Sequence, residues 1–342
     1  MTISRHGWHI LAENKTNTLT LRPKLLLLLA IFSLWACEQK RPVVEVEGIA
    51  IPTRNYRFDK AFFRCSPADL HLCTDSLTTR YFPFFQSGDS AFWFKQRSDS
   101  LLNALHHQIA QEEAAITKAL EESHRVLQHY AHYFPKRCPS RLYTYVSPLD
   151  FQFPLFVTDS LIFVALDQYL GAQSPFYQSQ PEYLLRGRHW PFLPMDLAEA
   201  LAGQQVRREL QGSSDFLSDI IYEGKLLFLG SMLYPEAQTH QWLRYSAEEW
   251  AFCEENEAAI WSYLVEQQAL FSGDADLKRR LILPAPFSKF YLPIDNQTPG
   301  RIGRWVGYRI VESWMEQNNY NVQEMLRTTD ARKFLRDAKY KP

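Results

Sequence analysis

The chain has 342 residues, with 37 Lys and Arg against 38 Asp and Glu, a formal net charge of −1. It carries no long basic block and no stripe of basic residues interleaved with aromatics, which excludes nucleic acid as a main partner. With 23 Phe, 17 Tyr and 9 Trp it can fill a large core, the commoner use of such rings.

Leu25 to Ala36 is an apolar run of 12 residues behind Arg22 and Lys24. A bilayer-spanning helix needs roughly 20, so residues 1–36 read as a signal peptide. Leu34-Trp35-Ala36-Cys37 resembles the bacterial lipobox. Signal peptidase then cuts before Cys37, which becomes the lipidated N-terminus. The plainer alternative is an ordinary signal peptide ending near a chance cysteine. Losing residues 1–36, with Arg5, Lys15, Arg22 and Lys24 against Glu13, takes the formal charge to −4. Residues 37–43 then form a tether and 44–342 a single α+β domain, mostly helical.

Within that domain, Val44-Glu45-Val46-Glu47 alternates and predicts an opening strand. Cys65 and Cys73 are near enough in sequence to close a small disulfide loop in an oxidising compartment, with Cys138 and Cys253 left as a second pair or as thiols. From Asp99, Leu102, Leu105, Ile109, Ile116, Leu120, Leu127 and Tyr130 recur at helical spacing up to Pro135, predicting one long spine helix. Arg141–Val146 alternates, and Phe153–Val157 with Leu161–Leu166 flank Thr158-Asp159-Ser160 as a hairpin. This small sheet with the spine occupies residues 44–171. A helical half follows over 194–342: Met195–Leu210, Asp215–Leu233, Ala247–Phe271, Gly300–Gln317 and a last helix from Val322. One long helix, a small sheet and a run of helices define α+β.

Few residues point to chemistry. His129 and His132 share a helix face with His124 nearby, but no third ligand completes a metal set, and solvated or capping roles fit better. Asp215, Asp219 and Glu223 step by four, as the wet side of a helix does. Zincin metallopeptidases carry H-E-x-x-H on one helix and a third ligand on the next. Ala198-Glu199-Ala200-Leu201-Ala202 keeps the glutamate and has alanine at both histidine places, and Glu223 follows on the next helix. Ala198, Glu199, Ala202 and Glu223 are thus a candidate degenerate pocket without metal ligands, cofactor or catalytic residue. If Glu199 is instead an unrelated surface residue, the four have no reason to meet. In a degenerate zincin-like scaffold, Ala198, Ala202 and Glu223 face one cleft, and Glu223 needs a cationic or hydrogen-bonding partner in place of metal.

The segments Arg57-Phe58-Asp59-Lys60, Leu166-Asp167-Gln168-Tyr169-Leu170-Gly171, Ile221-Tyr222-Glu223-Gly224-Lys225, Asn256-Glu257-Ala258-Ala259-Ile260-Trp261, Ala285-Pro286-Phe287-Ser288-Lys289-Phe290, Thr298-Pro299-Gly300-Arg301-Ile302-Gly303-Arg304-Trp305-Val306-Gly307 and Lys339-Tyr340-Lys341-Pro342 come in this order behind the lipobox. As an ordered set they resemble the gliding-motility lipoprotein GldB family of the Bacteroidetes. The resemblance implies a membrane-anchored lipoprotein of the cell envelope, working with protein partners in the gliding or secretion machinery, without catalytic activity. The stretch from Pro299 to Trp314 also resembles the tail of predicted zinc-dependent proteases. A metallopeptidase-like hydrolase and a surface glycan-binding lipoprotein are the competing expectations. On physical grounds, Gly303 and Gly307 allow another element to approach their helix closely.

Overall fold

A four-stranded mixed sheet divides the molecule, with strand order β1-β2-β4-β3. The computed structural model describes residues 42–206 and 215–342. The expected signal peptide, Cys37 and the end of the helix expected at Met195–Leu210 lie outside the described residues.

Strand β1 is Arg54–Arg57, β2 Arg141–Tyr145, β3 Leu155–Val157 and β4 Leu161–Ala165. β1 and β4 each run parallel to β2, and β3 closes the expected hairpin antiparallel to β4. The expected strand at Val44–Glu47 is absent: its alternation is real, but no strand pairs with it, and the chain runs there without regular structure. Arg54–Arg57 takes the edge place, its register set by pairing with Arg141–Thr144.

Between β1 and β2 come α1 (Phe58–Arg64), α2 (Leu70–Arg80), α3 (Ser90–Ser98), α4 (Ser100–Gln111) and α5 (Glu113–Tyr133). The expected single spine is therefore two helices, divided at Glu112 (φ −105°, ψ 21°). Long-range contacts accompany the break. Trp190 Nε1 donates to the Glu112 carboxylate, and Glu113 is held by Arg57 at 2.8 Å and Lys60 at 2.6 Å. Asp99 caps α4 by accepting from the Leu102 amide at 2.9 Å.

Side-chain alternation gives the sheet two faces. Tyr143, with Tyr145 and Phe163 beside it, joins an aromatic layer of Phe58, Phe62, Phe63, Leu77 and Tyr81. Cys65 and Cys73 are joined by a disulfide in that layer, whereas Cys138 and Cys253 are free thiols. Leu142, Ile162 and Val164 turn the other way, into the main core with α5 and the helical half.

The helical half comprises α6 (Leu193–Val206), α7 (Phe216–Leu233), α8 (Ala247–Glu255), α9 (Glu257–Glu266), α10 (Ala275–Leu281), α11 (Ile302–Gln317), α12 (Val322–Arg327) and α13 (Ala331–Ala338). The helix expected over Ala247–Phe271 breaks at Asn256, whose side-chain amide donates to the Phe252 carbonyl at 2.8 Å. α7 and α11 cross through glycine. A Cβ on Gly307 would lie 1.8 Å from the Ile220 carbonyl oxygen, and one on Gly224 would lie 2.1 Å from that of Gly307. Only hydrogen fits at either place. This crossing fixes the depth at which the first turn of α11 sits against α6.

Candidate functional site

A cleft of about 640 Å³ opens where β3, α6, the start of α11 and the segments around Arg186–Arg188 and Arg244–Tyr245 converge. α6 presents Asp196, Glu199, Ala200 and Gly203 to it, the three- and four-residue spacing of one helical face. The adjacent face, with Met195, Ala198, Leu201 and Ala202, is enclosed in the main core. α11 contributes Arg304, and Arg301 stands just before it. Ser288 holds that helix start in place: its hydroxyl donates to the Pro299 carbonyl at 2.7 Å and accepts from the Ile302 amide at 3.0 Å. Gly300 is required because a Cβ there would strike the Ala285 carbonyl oxygen at 1.9 Å.

Charge in the cleft is organised by arginines. Arg304, its side chain only 7% exposed, donates from Nη2 to Glu199 and places Nε 2.8 Å from Glu223 Oε2. The second approach lies off the N–H direction, so it is an ion pair without a good hydrogen bond. Burial works against the Arg304 charge, but the two carboxylates outweigh it and push the guanidinium pKa up. Burial likewise opposes the Glu199 carboxylate, and Arg304 and Arg244 overcome it, holding Glu199 below the usual carboxylate range. Arg244 pairs with Asp196, which also accepts from Tyr169 Oη at 2.9 Å. Burial wins at Asp196 and raises its carboxyl despite Arg244.

Arg301 differs from its neighbours. It occupies left-handed backbone (φ 65°), and no carboxylate lies within ion-pair distance of it among the described residues. Burial, aided by the nearby charge of Arg304, pulls its guanidinium down to about 10. Arg188 likewise has no carboxylate within ion-pair distance among the described residues; it donates to the Phe151 carbonyl at 3.1 Å and lies over the Phe151 ring.

Of the four residues expected to share a pocket, Glu199 and Glu223 meet on Arg304, which supplies the cationic partner Glu223 needs. Ala198 and Ala202 do not open on the cleft. Both are 0% exposed, because the face of α6 that carries them is the one packed into the core. The Asp215, Asp219 and Glu223 stripe serves three separate ends: a cap on the Ser218 amide, a 3.1 Å bridge to Lys278, and the Arg304 pair. Lys225 is fully buried and donates to the Thr328 carbonyl at 2.7 Å. His129 is buried, His132 is exposed and His124 bonds Asn55, so the three histidines do not converge. No group of three or more His, Cys, Asp or Glu suited to a metal occurs among the described residues. The cleft residues that sequence reasoning did not single out include Arg304 itself, Arg188, Arg244, Arg301, Asp196 and Tyr222. Arg301 and Arg304 lie three apart behind Pro299-Gly300, and that pairing at a helix start was the available signal.

The fold and cleft define a mostly helical α+β protein whose cleft is lined by arginines and paired carboxylates. The chain belongs to the gliding motility protein GldB family, whose model matches residues 39–342. No curated protein and no solved structure matches the chain. Among the described residues no helix is long and apolar enough to cross a membrane. The stretch Tyr222-Glu223-Gly224-Lys225 shows how tightly the site and core are interleaved. Its residues in turn line the cleft, pair with Arg304, meet Gly307 and reach Thr328.

Proposed function

We propose that this gliding motility family member is a non-catalytic lipoprotein of the cell envelope. In this reading lipid on Cys37 anchors it, and its cleft binds a component of the gliding machinery. The observation that carries the non-catalytic part is Arg304, which engages both Glu199 and Glu223. A general base needs a free carboxylate with a pKa near the working pH, and Glu199 is instead ion-paired and held low. Arginine keeps its proton at any physiological pH, and the other lining carboxylate, Asp196, is committed to Arg244 and Tyr169. Such a set favours recognition over proton transfer. For anchoring, each buried methylene of an acyl chain contributes about 0.8 kcal/mol, so two or more chains hold a protein stably.

Deleting the gene in a gliding host should abolish spreading on agar, and Cys37→Ser should fail to restore it while leaving the protein unlipidated by fatty-acid labelling. Unchanged spreading of the deletion strain overturns the motility role. Stoichiometric zinc in the purified chain, with loss of peptide hydrolysis in Glu199→Gln, overturns the non-catalytic reading.

A further inference from the structure

Among the described residues the sheet ends at β3, and all three residues of that edge strand line the cleft. Register pairs Leu155 with Val164, Phe156 with Phe163 and Val157 with Ile162. Ala165 donates to the Pro154 carbonyl at 3.0 Å and Thr158 to the Leu161 carbonyl at 2.8 Å. Residues 154, 156 and 158 therefore turn their backbone groups toward β4. Alternation then turns the N–H and C=O of Leu155 and Val157 outward, where no further strand follows. Leu155, Phe156 and Val157 all line the cleft, and α6 packs beside them. Exposed strand edges are normally blunted by charge, proline or cover. Here the edge strand lines a cavity whose wall also carries Arg301, an arginine without an ion-paired acid among the described residues.

Charge says what the cavity lacks. Its lining holds Arg186, Arg188, Arg244, Arg301 and Arg304 against Asp196 and Glu199. Arg186 is neutralised by Glu249 at 2.7 Å, and Arg244 and Arg304 by the pairs described above. Among the described residues Arg301 and Arg188 have no ion-paired carboxylate; Glu199 and Asp196 act on them only at longer range. Arg301 is only partly exposed, and a guanidinium shielded from water without an ion-paired acid is unfavourable; it also holds a backbone conformation that few residues other than glycine or asparagine adopt. Both costs fall at the same residue, on the cleft wall.

Building on the reading of the cleft as a binding site, we infer that it receives an extended polypeptide segment bearing a carboxylate. The segment's backbone pairs with the outer edge of β3, and its carboxylate is bound by the Arg301 guanidinium. The fork of Arg301 suits carboxylate or phosphate alike. The edge decides for polypeptide, because only an extended backbone repeats donors and acceptors at the spacing of Leu155 and Val157. Val157→Pro removes one outward N–H and leaves the β4 ladder intact, since proline is tolerated on an edge strand with its nitrogen facing away from the partner. Arg301→Asn removes the charge in a residue that accepts left-handed backbone.

The test is selection of phage-displayed random octapeptides on the purified full chain in detergent, followed by fluorescence anisotropy of synthetic winners. Asp or Glu should be enriched at one position for the native chain and not for Arg301→Asn. Replacing that acid by its amide should weaken binding by about tenfold or more, and Arg301→Asn should erase the difference. Val157→Pro should weaken every selected peptide while circular dichroism melting stays unchanged. Peptides with a free and with an amidated C-terminus separate a terminal carboxylate from an internal one. No enrichment, enrichment that ignores Arg301, or binding of inorganic phosphate without any peptide overturns the inference. None of these results bears on whether deletion abolishes gliding, so the broader reading stands or falls separately.

Discussion

On one face of the sheet, Phe58 meets Phe62, Phe84 and Trp93 at centroid separations of 5.3, 4.2 and 6.3 Å, tilted, stacked and edge-on in turn. On the other side, α7 and α11 meet through the bare backbone of Gly224 and Gly307. The aromatic layer fills space with large rings in varied orientations, and a disulfide ties Cys65 to Cys73 beside them. The glycine crossing has a single workable depth, because a carbonyl oxygen stands where any side chain would go. The cleft is built on the second kind of packing. Its arginines are positioned by a helix start that cannot move outward without opening the α7–α11 contact.

The largest expected effect is at Gly307. Gly307→Ala improves helix propensity by about 1 kcal/mol, yet the new methyl meets the Ile220 oxygen at 1.8 Å. Overpacking against a backbone oxygen that cannot give way should outweigh that gain, for a net loss above about 3 kcal/mol on urea unfolding. A stabilised Gly307→Ala protein would show that the crossing has slack. Next is Arg304→Met, which strands Glu199 and Glu223. Those side chains keep 26% and 20% exposure, so the cost should fall at the lower end for a broken buried pair, about 3 kcal/mol. Adding Glu199→Gln and Glu223→Gln should recover most of it. A loss confined to the aromatic layer is expected from Cys65→Ser with Cys73→Ser. Releasing a loop of sequence separation 8 costs about 2.5 kcal/mol on chain-entropy grounds, and limited proteolysis should then cut near α2 before it cuts α11.

The smallest effect is a pH response in the same layer. His106 stacks on Phe63 at 4.3 Å, and burial, with Arg97 and Arg57 adding to it and Asp59 opposing, lowers its pKa. A histidine with a lowered folded value contributes stability that is present above its ordinary value of about 6.5 and lost as pH falls through the lowered value. Hydrogen exchange, corrected for intrinsic rates, should therefore quicken in α4 between pH 7.5 and 5.5 more than in α11. His106→Gln should remove that excess.

What could be read from the chain follows how local each signal is. The β3–β4 hairpin announces itself through Thr158-Asp159-Ser160 between two apolar runs, and α7 through Asp215 as its cap. The break at Glu112 was invisible because Ile109 and Ile116 are seven apart, two full turns, so the apolar stripe continues in phase across it. Its partners, Arg57 and Trp190, lie 56 and 78 residues away from Glu113 and Glu112. β1 was hidden for the same reason: Arg-Asn-Tyr-Arg is a poor strand signal, and pairing with Arg141–Thr144 makes it one. In the cleft, carboxylates spaced as in a familiar peptidase pattern drew the reading to α6 and α7. The arginine between them belongs to a helix more than a hundred residues on from Glu199 and could be placed only by folding.

The buried Lys225 has a consequence for the order in which the protein becomes whole. Its ammonium is held by the carbonyl of Thr328 and lies 4.7 Å from the Phe334 ring centroid. Phe334 and Ala338 are themselves fully enclosed, and Tyr340 reaches back to Glu257 at 2.8 Å. Around Lys225 the central helix α7 is thus covered by a stretch that begins 103 residues further along the chain, at Thr328. A chain cut before α13 would leave Lys225 without the Phe334 ring and bare the apolar face that Phe334 and Ala338 enclose, so this part of the core closes only when α13 docks. Until then that stretch of α7 stays open to solvent and to chaperones.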